Sequence, residues 1–292
     1  MELNHARVTT PPRPAATVVL LRDGDNGTEV LMLKRAAQSD VLGGAFVFPG
    51  GKLDEADAHP ELHARLDTQA ATLHDLLSEP ELDAATATAL FVAALRETFE
   101  ESGILMAHDV TPQHVEHASR RAREGLSFLE VVAELGLQLK TSGIAPWVRW
   151  ITPVMPSVMN KRFDTRFFIG HVPEGLTAKH DDHEATEATW MAPRAALERY
   201  WNREIELAPP QIQSLAHLAR YANAEAAVEA ARRRRPPTIQ PEPFDEDGTR
   251  VIAYPGDPRH PLPERALPGP LRLRHRKGRF EPVSGDFEAF FL

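Results

Sequence analysis

One long segment without glycine or proline most constrains the fold of this chain. From Ala84 to Ser102 the sequence is rich in alanine, a strong helix former, and contains neither of the two residues that break helices. Asp83, directly before the segment, can cap a helix N-terminus, and Gly103, directly after it, is a common C-terminal stop. The sequence therefore predicts one long α-helix with well-defined ends.

Three glutamates lie on one side of this predicted helix. At about 100° per residue, Glu97, Glu100 and Glu101 share a face about 100° wide. The opposite face carries large apolar residues that can pack on a core: Phe91, Val92, Leu95 and Phe99. Because like charges at this spacing repel by roughly 0.2–0.5 kcal/mol per pair, a bound hard cation would stabilise the cluster, and oxygen ligands favour Mg²⁺ or Mn²⁺. The alternative is an acidic helix face that is only solvated.

Short strands and turns surround the helix. Residues 16–22 and 29–34 read as strands, and the Asp-Gly and Asn-Gly steps between them predict a hairpin. A third apolar run, residues 45–48, stops at Pro49 and two glycines, whose backbone can approach a ligand closely. Residues 210–234 predict one long helix. Because strands and helices do not alternate regularly, the sequence predicts an α+β fold with a mixed sheet rather than a doubly wound one.

Charge and composition exclude several classes of protein. The formal net charge of −9 disfavours nucleic-acid binding, which needs a basic surface. The absence of cysteine excludes disulfides, thiolate nucleophiles and cysteine-based metal sites. The longest apolar run near the N-terminus, residues 15–21, is too short to span a bilayer and lacks the layout of a signal peptide. We therefore expect a soluble, cytoplasmic protein that binds neither nucleic acid nor membrane.

The glycine turn and the glutamate helix together resemble the signature of the Nudix hydrolase superfamily. That signature reads Gly-x5-Glu-x7-Arg-Glu-U-x-Glu-Glu-x-Gly-U, where U is aliphatic. Here Gly51 is the first glycine, Asp57 stands where glutamate is usual, and residues 96–104 match the second half with Thr98 at an aliphatic position. Asp57 and Arg96 are 39 positions apart instead of eight, so 31 residues are inserted within the signature. The resemblance covers about residues 14–205.

The resemblance implies a fold, a reaction and a set of site residues. The fold is a Nudix-type α/β/α sandwich with a mixed central sheet. The reaction is hydrolysis of a nucleoside diphosphate linked to another moiety, in which water attacks a pyrophosphate phosphorus. Divalent ions, Mg²⁺ or Mn²⁺, would be held by Gly51, Glu97, Glu100 and Glu101. Arg96 would orient the glutamates through charge-assisted hydrogen bonds.

Two further acidic positions leave alternatives open. Asp57 either binds metal through water or caps a helix. The resemblance also implies a carboxylate that activates the attacking water, from a loop that precedes the strand containing Trp190. Glu184 is the preferred candidate for this general base, and Glu187 or a helix glutamate is the alternative.

The long insertion resembles the coenzyme A diphosphatase branch of the superfamily. This implies coenzyme A or an acyl derivative as the substrate, cleaved to 3′,5′-ADP and 4′-phosphopantetheine. ADP-ribose, NADH and other nucleotide sugars are the alternative substrates, and a non-catalytic nucleotide-sensing module is the alternative outside the enzymes. Four cations are candidates for binding substrate phosphates, the alternative being solvated charge at strand edges: Arg35, Lys161, Arg162 and Arg166.

Composition changes at Pro236, where prolines become dense. We predict a Nudix domain over residues 1–235, with a helical insertion at about 58–82, and a proline-rich but ordered C-terminal extension over residues 236–292. The extension has too many large apolar residues for a free tail, so it should pack on the domain or on a partner subunit. These residues are Phe280, Phe287, Phe290, Phe291 and Leu292. The resemblance also implies a homodimer.

Overall fold

The computed structural model describes residues 3–25, 27–39, 42–172 and 185–292. The strands are β1 (Arg13–Gly24), β2 (Gly27–Arg35), β3 (Phe46–Val47), β4 (Gly50–Lys52), β5 (Ile144–Ile151), β6 (Phe163–His171), β7 (Ala185–Met191), β8 (Thr238–Ile239), β9 (Glu242–Glu246), β10 (Thr249–Ala253), β11 (Arg272–Arg276) and β12 (Arg279–Pro282). The α-helices are α1 (Pro60–His63), α2 (Ala70–Leu77), α3 (Ala84–Ser102), α4 (Pro112–Arg123), α5 (Phe128–Glu134), α6 (Pro193–Trp201), α7 (Pro209–Leu218) and α8 (Ala224–Arg232).

A mixed β-sheet forms the centre of the fold. Its strands follow the order β3-β2-β1-β6-β5-β8, with β4 also paired to β1 and β7 also paired to β2. The pairs β1–β6 and β5–β8 are parallel, whereas β1–β2 and β5–β6 are antiparallel. This confirms the predicted α+β class with a mixed central sheet. The C-terminal segment adds a second, antiparallel sheet in the order β12-β11-β10-β9, which the sequence did not predict.

The predicted first hairpin opens into a fork that holds the glycine turn. β1 and β2 pair only close to their connecting turn. Farther away the segment 46–52 lies between them, because β3 pairs with β2 and β4 pairs with β1. The amide of Val18 donates a hydrogen bond to the carbonyl of Pro49 at 2.9 Å. Gly50 and Gly51 therefore belong to a strand that is hydrogen-bonded to β1, and not to an unpaired loop.

Hydrophobic side chains cover both faces of the sheet. Along β1, Val18 and Leu20 belong to one core, whereas Val19 and Leu21 belong to the other, as the alternation of side chains along a strand requires. The first core is covered by α3 together with the inserted segment, and the second by α6, α7 and α8. The arrangement is a sandwich with helices on each side of the sheet.

Of two long helices predicted from the sequence, one is confirmed and the other is wrong. α3 spans Ala84–Ser102 as predicted, with the Asp83 carboxylate capping its first turn and Gly103 ending it in the left-handed region at a φ of 68°. The single long helix predicted over residues 210–234 is wrong, because the chain breaks between α7 and α8. The side chain of Asn223 caps α8, and the amide of Ala224 donates to the Asp23 carboxylate at 2.8 Å.

The inserted segment is only partly helical. Within residues 55–82 it forms a 3-10 turn at Glu55–Ala58 followed by the short helices α1 and α2. The C-terminal segment packs on the second core of this same chain, where Phe280 and Phe290 are buried. The Tyr200 hydroxyl donates to the Phe280 carbonyl at 2.9 Å and accepts from its amide at 2.7 Å. In the described part of the chain, no helix combines the length and the apolar character that crossing a bilayer requires.

Candidate functional site

The guanidinium of Arg96 lies at the centre of the site. Its Nε and Nη2 donate to the two carboxylate oxygens of Asp57 at 2.7 and 2.9 Å. Its Nη1 donates to Glu97 and to Glu100, both at 2.8 Å, and its Nη2 also reaches the carbonyl of Lys52 at 3.1 Å. Burial lowers the pKa of Arg96, but the hydrogen bonds with Asp57 and the charge of Glu97 outweigh it and raise that pKa above its usual value. The guanidinium therefore stays cationic.

Asp57 anchors Arg96 across the insertion. Its carboxylate is fully buried, and besides Arg96 it accepts a hydrogen bond from the amide of Asp54 at 2.8 Å. That bond forms half of a capping box on the 3-10 turn Glu55–Ala58. Of the two roles left open for Asp57, the structure shows the cap. The fold thus brings together two residues that the insertion separates by 39 positions.

Glu101 is held by the backbone of the glycine turn. The amide of Gly50 donates to the Glu101 carboxylate at 2.8 Å, and Nη1 of Arg35 lies 3.8 Å from its other oxygen. The side chain of Glu101 is 7% exposed. A buried carboxylate needs such compensation because its desolvation costs free energy. The sequence did not predict the Gly50 contact.

Glu97 lies directly against Gly51. A Cβ atom added at Gly51 would be 2.3 Å from one carboxylate oxygen of Glu97 and 2.5 Å from its carboxylate carbon. Only glycine therefore leaves room for Glu97 in this position. The neighbouring Gly50 is constrained differently, because a Cβ there would be 2.5 Å from the backbone oxygen of Ala16.

The three glutamates do not form a solvated acidic face. The exposed fraction of the side chain is 43% for Glu100 but only 13% for Glu97 and 7% for Glu101. The alternative of a solvated helix face is therefore wrong for Glu97 and Glu101, because the glycine turn covers them. Arg96 binds two of these carboxylates, and the amide of Gly50 binds the third. Among the described residues, no three carboxylate or imidazole groups stand as a preassembled metal site.

The donor chemistry of the site fits a hard dication. Its candidate ligands are carboxylate and backbone oxygens, which Mg²⁺ and Mn²⁺ prefer. The cradle at Gly51 brings the Glu97 carboxylate against the backbone, where a Cβ would exclude it. Each carboxylate offers about four lone-pair positions, so a contact with Arg96 or Gly50 does not use up its capacity to bind a metal. The residues that would hold the ion are Gly51, Glu97, Glu100 and Glu101.

The guanidinium of Arg166 is paired with acidic residues. Its side chain is 5% exposed, and its Nε donates to the Glu79 carboxylate at 3.0 Å while its Nη1 donates to the Asp164 carbonyl at 3.1 Å. Nη1 of Arg149 also reaches Glu79, at 2.8 Å. The prediction that Arg166 binds substrate phosphate is corrected, because its guanidinium fixes the inserted segment, which ends near Glu79, to the sheet.

The other predicted cations are placed differently. Arg35 ends β2 beside Glu101 and so borders the site. Arg162 donates to the carbonyls of Thr152 and Thr10 at 3.0 and 3.1 Å, and in this way joins the N-terminal segment to the end of β5. Lys161 is exposed in the connection that precedes β6. Arg35 therefore contacts a glutamate of α3.

Of the two candidate general bases near β7, the structure describes Glu187 and not Glu184. Glu184 lies outside the described residues. Glu187 belongs to β7, where it is half-buried and stands opposite Lys34 of β2. Because Lys34 precedes Arg35, Glu187 lies at the same end of the sheet as the Arg35–Glu101 contact. The choice of base stays a prediction.

A family model supports the resemblance directly. The model described as the NUDT19 Nudix domain matches residues 11–218 of this chain. The chain belongs to that Nudix family. The match includes the glycine turn, the insertion and all three glutamates of α3, and it ends at the last residue of α7.

Individual relatives agree with the family. The acyl-coenzyme A diphosphatase NUDT19 of Xenopus laevis is 29% identical over 229 residues, which cover 66% of this chain and 60%, less than two thirds, of that protein. The putative nudix hydrolase 7 of Caenorhabditis elegans is 24% identical over 271 residues, covering 91% of this chain and 80% of that protein. The crystal structure of a Nudix hydrolase from Alicyclobacillus acidocaldarius superposes with a TM-score of 0.59 at 28% identity, covering 78% of this chain and 99% of that one. The Nudix-type fold and the resemblance to the coenzyme A diphosphatase branch are confirmed.

Proposed function

We propose that this chain is a divalent-metal-dependent pyrophosphohydrolase that cleaves coenzyme A or acyl-coenzyme A to 3′,5′-ADP and 4′-phosphopantetheine or its acyl derivative. The observation that carries the proposal is the assembly of the glutamates of α3 on the glycine turn, with Glu97 against Gly51 and Glu101 on the amide of Gly50. The choice of substrate is supported by relatives from frog, chicken and human that are named acyl-coenzyme A diphosphatase.

The residues of this chain would each serve the reaction in a definite way. A bound dication would neutralise the pyrophosphate and lower the pKa of the attacking water. Arg96, kept cationic by Asp57, fixes Glu97 and Glu100 relative to each other. The turn around Gly50 shields Glu101 from water, which strengthens its electrostatic interactions. Arg35, which lies beside Glu101, would bind a substrate phosphate.

Phosphorus-detected turnover in the presence of Mg²⁺ tests this proposal. Coenzyme A, ADP-ribose, NADH and a dinucleoside polyphosphate are compared at equal concentration, and we expect coenzyme A to be cleaved fastest. If it is the slowest of the four, the substrate assignment is wrong. If nucleotide binds without any turnover, the chain is a sensing module instead.

A double variant tests the role of the glutamates. Glu100→Gln with Glu101→Gln should abolish turnover while the variant still unfolds cooperatively, because each amide keeps the shape of the carboxylate but not its charge. The matched control changes two exposed glutamates away from the site, Glu116→Gln with Glu225→Gln, and should keep full turnover.

Light scattering on the same samples tests the predicted homodimer, whose mass would be twice the 32.4 kDa of one chain.

A further inference from the structure

A cavity of about 190 Å³ lies between the C-terminal segment and the loop that follows α6. Buried side chains form its floor: Tyr200, Ile205, Leu207 and Phe280. Charged side chains form its rim: Arg203, Glu206, Lys277 and Arg279. Its volume is below the roughly 300–1,000 Å³ of a complete small-molecule site. The cavity therefore suits one group of a larger ligand.

Three of the four charged side chains on the rim are cations. Arg279 is compensated, because its Nη2 lies 3.1 Å from the Glu281 carboxylate and its guanidinium lies 4.0 Å from the ring centroid of Trp201. Within the described ranges, Arg203 and Lys277 form no ion pair with any carboxylate. Arg203, Lys277 and Arg279 outnumber Glu206, the carboxylate of the rim, and this surplus of positive charge in a chain with a formal net charge of −9 favours an anion at the cavity.

The backbone at both cations adopts a conformation that their side chains disfavour. Arg203 has a φ of 66° and Lys277 a φ of 48°, which place both in the left-handed region at a cost of roughly 1–2 kcal/mol each. Lys277 and Gly278 connect β11 and β12, at a position where asparagine or aspartate usually stands. Strained backbone positions cluster at active sites and ligand-binding sites. The chain therefore carries cations at two turns that would be more stable with other residues.

The cavity is connected to the catalytic end of the sheet. The Phe46 amide donates to the carbonyl of Glu206 on the cavity rim at 2.9 Å. Phe46 begins β3, and Gly50 follows four residues later, at most about 13 Å away along an extended chain. Phe46 also pairs with Lys34, which directly precedes Arg35. One hydrogen bond and one short segment of the chain therefore join the cavity rim to the glycine turn.

We propose that this cavity binds the ribose 3′-phosphate of the substrate, with Arg203 and Lys277 as its ligands. This inference rests on the proposed function, since coenzyme A carries a phosphomonoester beside its pyrophosphate. Near neutral pH such a group carries about −1.5 to −2 charges. A guanidinium can bind two of its oxygens at once, and an ammonium supplies a second, less directional charge.

Calorimetry with product-like ligands tests the site without turnover. Adenosine 3′,5′-bisphosphate is compared with 5′-AMP, which lacks the 3′-phosphate. We expect the intact chain to bind the bisphosphate about tenfold more tightly, and Arg203→Gln with Lys277→Gln to remove this preference. The control Arg120→Gln with Arg233→Gln, which changes two exposed cations elsewhere, should keep it. A preference that survives in the Arg203→Gln, Lys277→Gln variant overturns the proposal.

Two further measurements separate this proposal from the proposed function. The kcat/KM of that variant should fall about tenfold for coenzyme A and less than about twofold for 3′-dephospho-coenzyme A. An equal fall for both substrates rejects the phosphate site while the proposed function stands. If the intact chain cleaves neither substrate, the proposed function fails, and the bisphosphate titration still decides the phosphate site. Lys277→Asn provides a second variant that favours the left-handed turn, so a folding defect cannot hide the result.

Discussion

Replacement of Gly51 by alanine should remove activity while the fold survives. The added Cβ would lie 2.3 Å from an oxygen and 2.5 Å from the carboxylate carbon of Glu97. Non-bonded heavy atoms pack best at about 3.5–4.0 Å. The Glu97 carboxylate therefore has to move by about 1 Å or more.

The expected losses of activity and of stability in Gly51→Ala follow from the displacement of the Glu97 carboxylate. A misplacement of about 1 Å in a catalytic site costs about 10²-fold in rate. The group that moves is the end of a flexible side chain, so we expect kcat to fall by about 10²-fold. The free energy of unfolding should fall by only about 1–2 kcal/mol, which is the order of one weakened hydrogen bond between Arg96 and Glu97.

Two other glycines serve as controls in the same assays, steady-state turnover and urea unfolding. At Gly143 the nearest neighbour of an added Cβ is the terminal methyl of Met106, at 3.1 Å, so Gly143→Ala should keep both activity and stability. At Gly50 the neighbour is backbone, the carbonyl oxygen of Ala16 at 2.5 Å, so Gly50→Ala should destabilise the fold more than Gly51→Ala does. If Gly51→Ala keeps more than half of the wild-type kcat, the placement of Glu97 is refuted.

Three further predictions concern stability. Asp57→Asn should lower the free energy of unfolding by about 2–4 kcal/mol, because it removes the buried charge that compensates Arg96. Burial lowers the pKa of His217 to about 3. Below the usual histidine pKa of about 6.5, the unfolded chain therefore binds a proton that the folded chain does not. Between about pH 7 and pH 5, the free energy of unfolding of the wild type should fall by about 2 kcal/mol more than that of His217→Gln. Truncation after Arg235 should abolish cooperative unfolding, because it removes Phe280 and Phe290 from the second core.

Urea unfolding checks all three. A change of less than about 1 kcal/mol in Asp57→Asn would show that Arg96 does not depend on this partner. For His217→Gln the decisive quantity is its difference from the wild type in the free energy of unfolding at pH 7 and at pH 5. A difference that does not vary with pH contradicts the lowered pKa of His217. A sharp transition in residues 1–235 alone would show that the C-terminal segment is dispensable for folding.

Local signals explain what the sequence predicted well. The ends of α3 depend on Asp83 and Gly103, which are its immediate neighbours, and the first hairpin depends on the glycines of its own turn. The three glutamates share a face by helix geometry alone. These features need no knowledge of distant contacts, and the Nudix signature rests on the same residues.

Distant contacts explain what the sequence did not predict. Arg166 is buried because Glu79, 87 residues earlier, folds over it. The break between α7 and α8 involves Asp23, whose carboxylate accepts a hydrogen bond from the amide of Ala224, 201 residues away. The different exposure of the three glutamates depends on a glycine turn held between β1 and β2, a fork that hairpin rules alone do not predict.

Calorimetric titration of Mg²⁺ and of Mn²⁺ decides most directly whether the glutamates of α3 hold a divalent metal. The titration is run with and without coenzyme A, on the intact chain and on Glu100→Gln with Glu101→Gln. We predict saturable uptake by the intact chain, and uptake at least about tenfold weaker in the variant, which should still unfold cooperatively. No uptake of either ion by the intact chain, with or without nucleotide, would contradict the metal site and the pyrophosphohydrolase built on it.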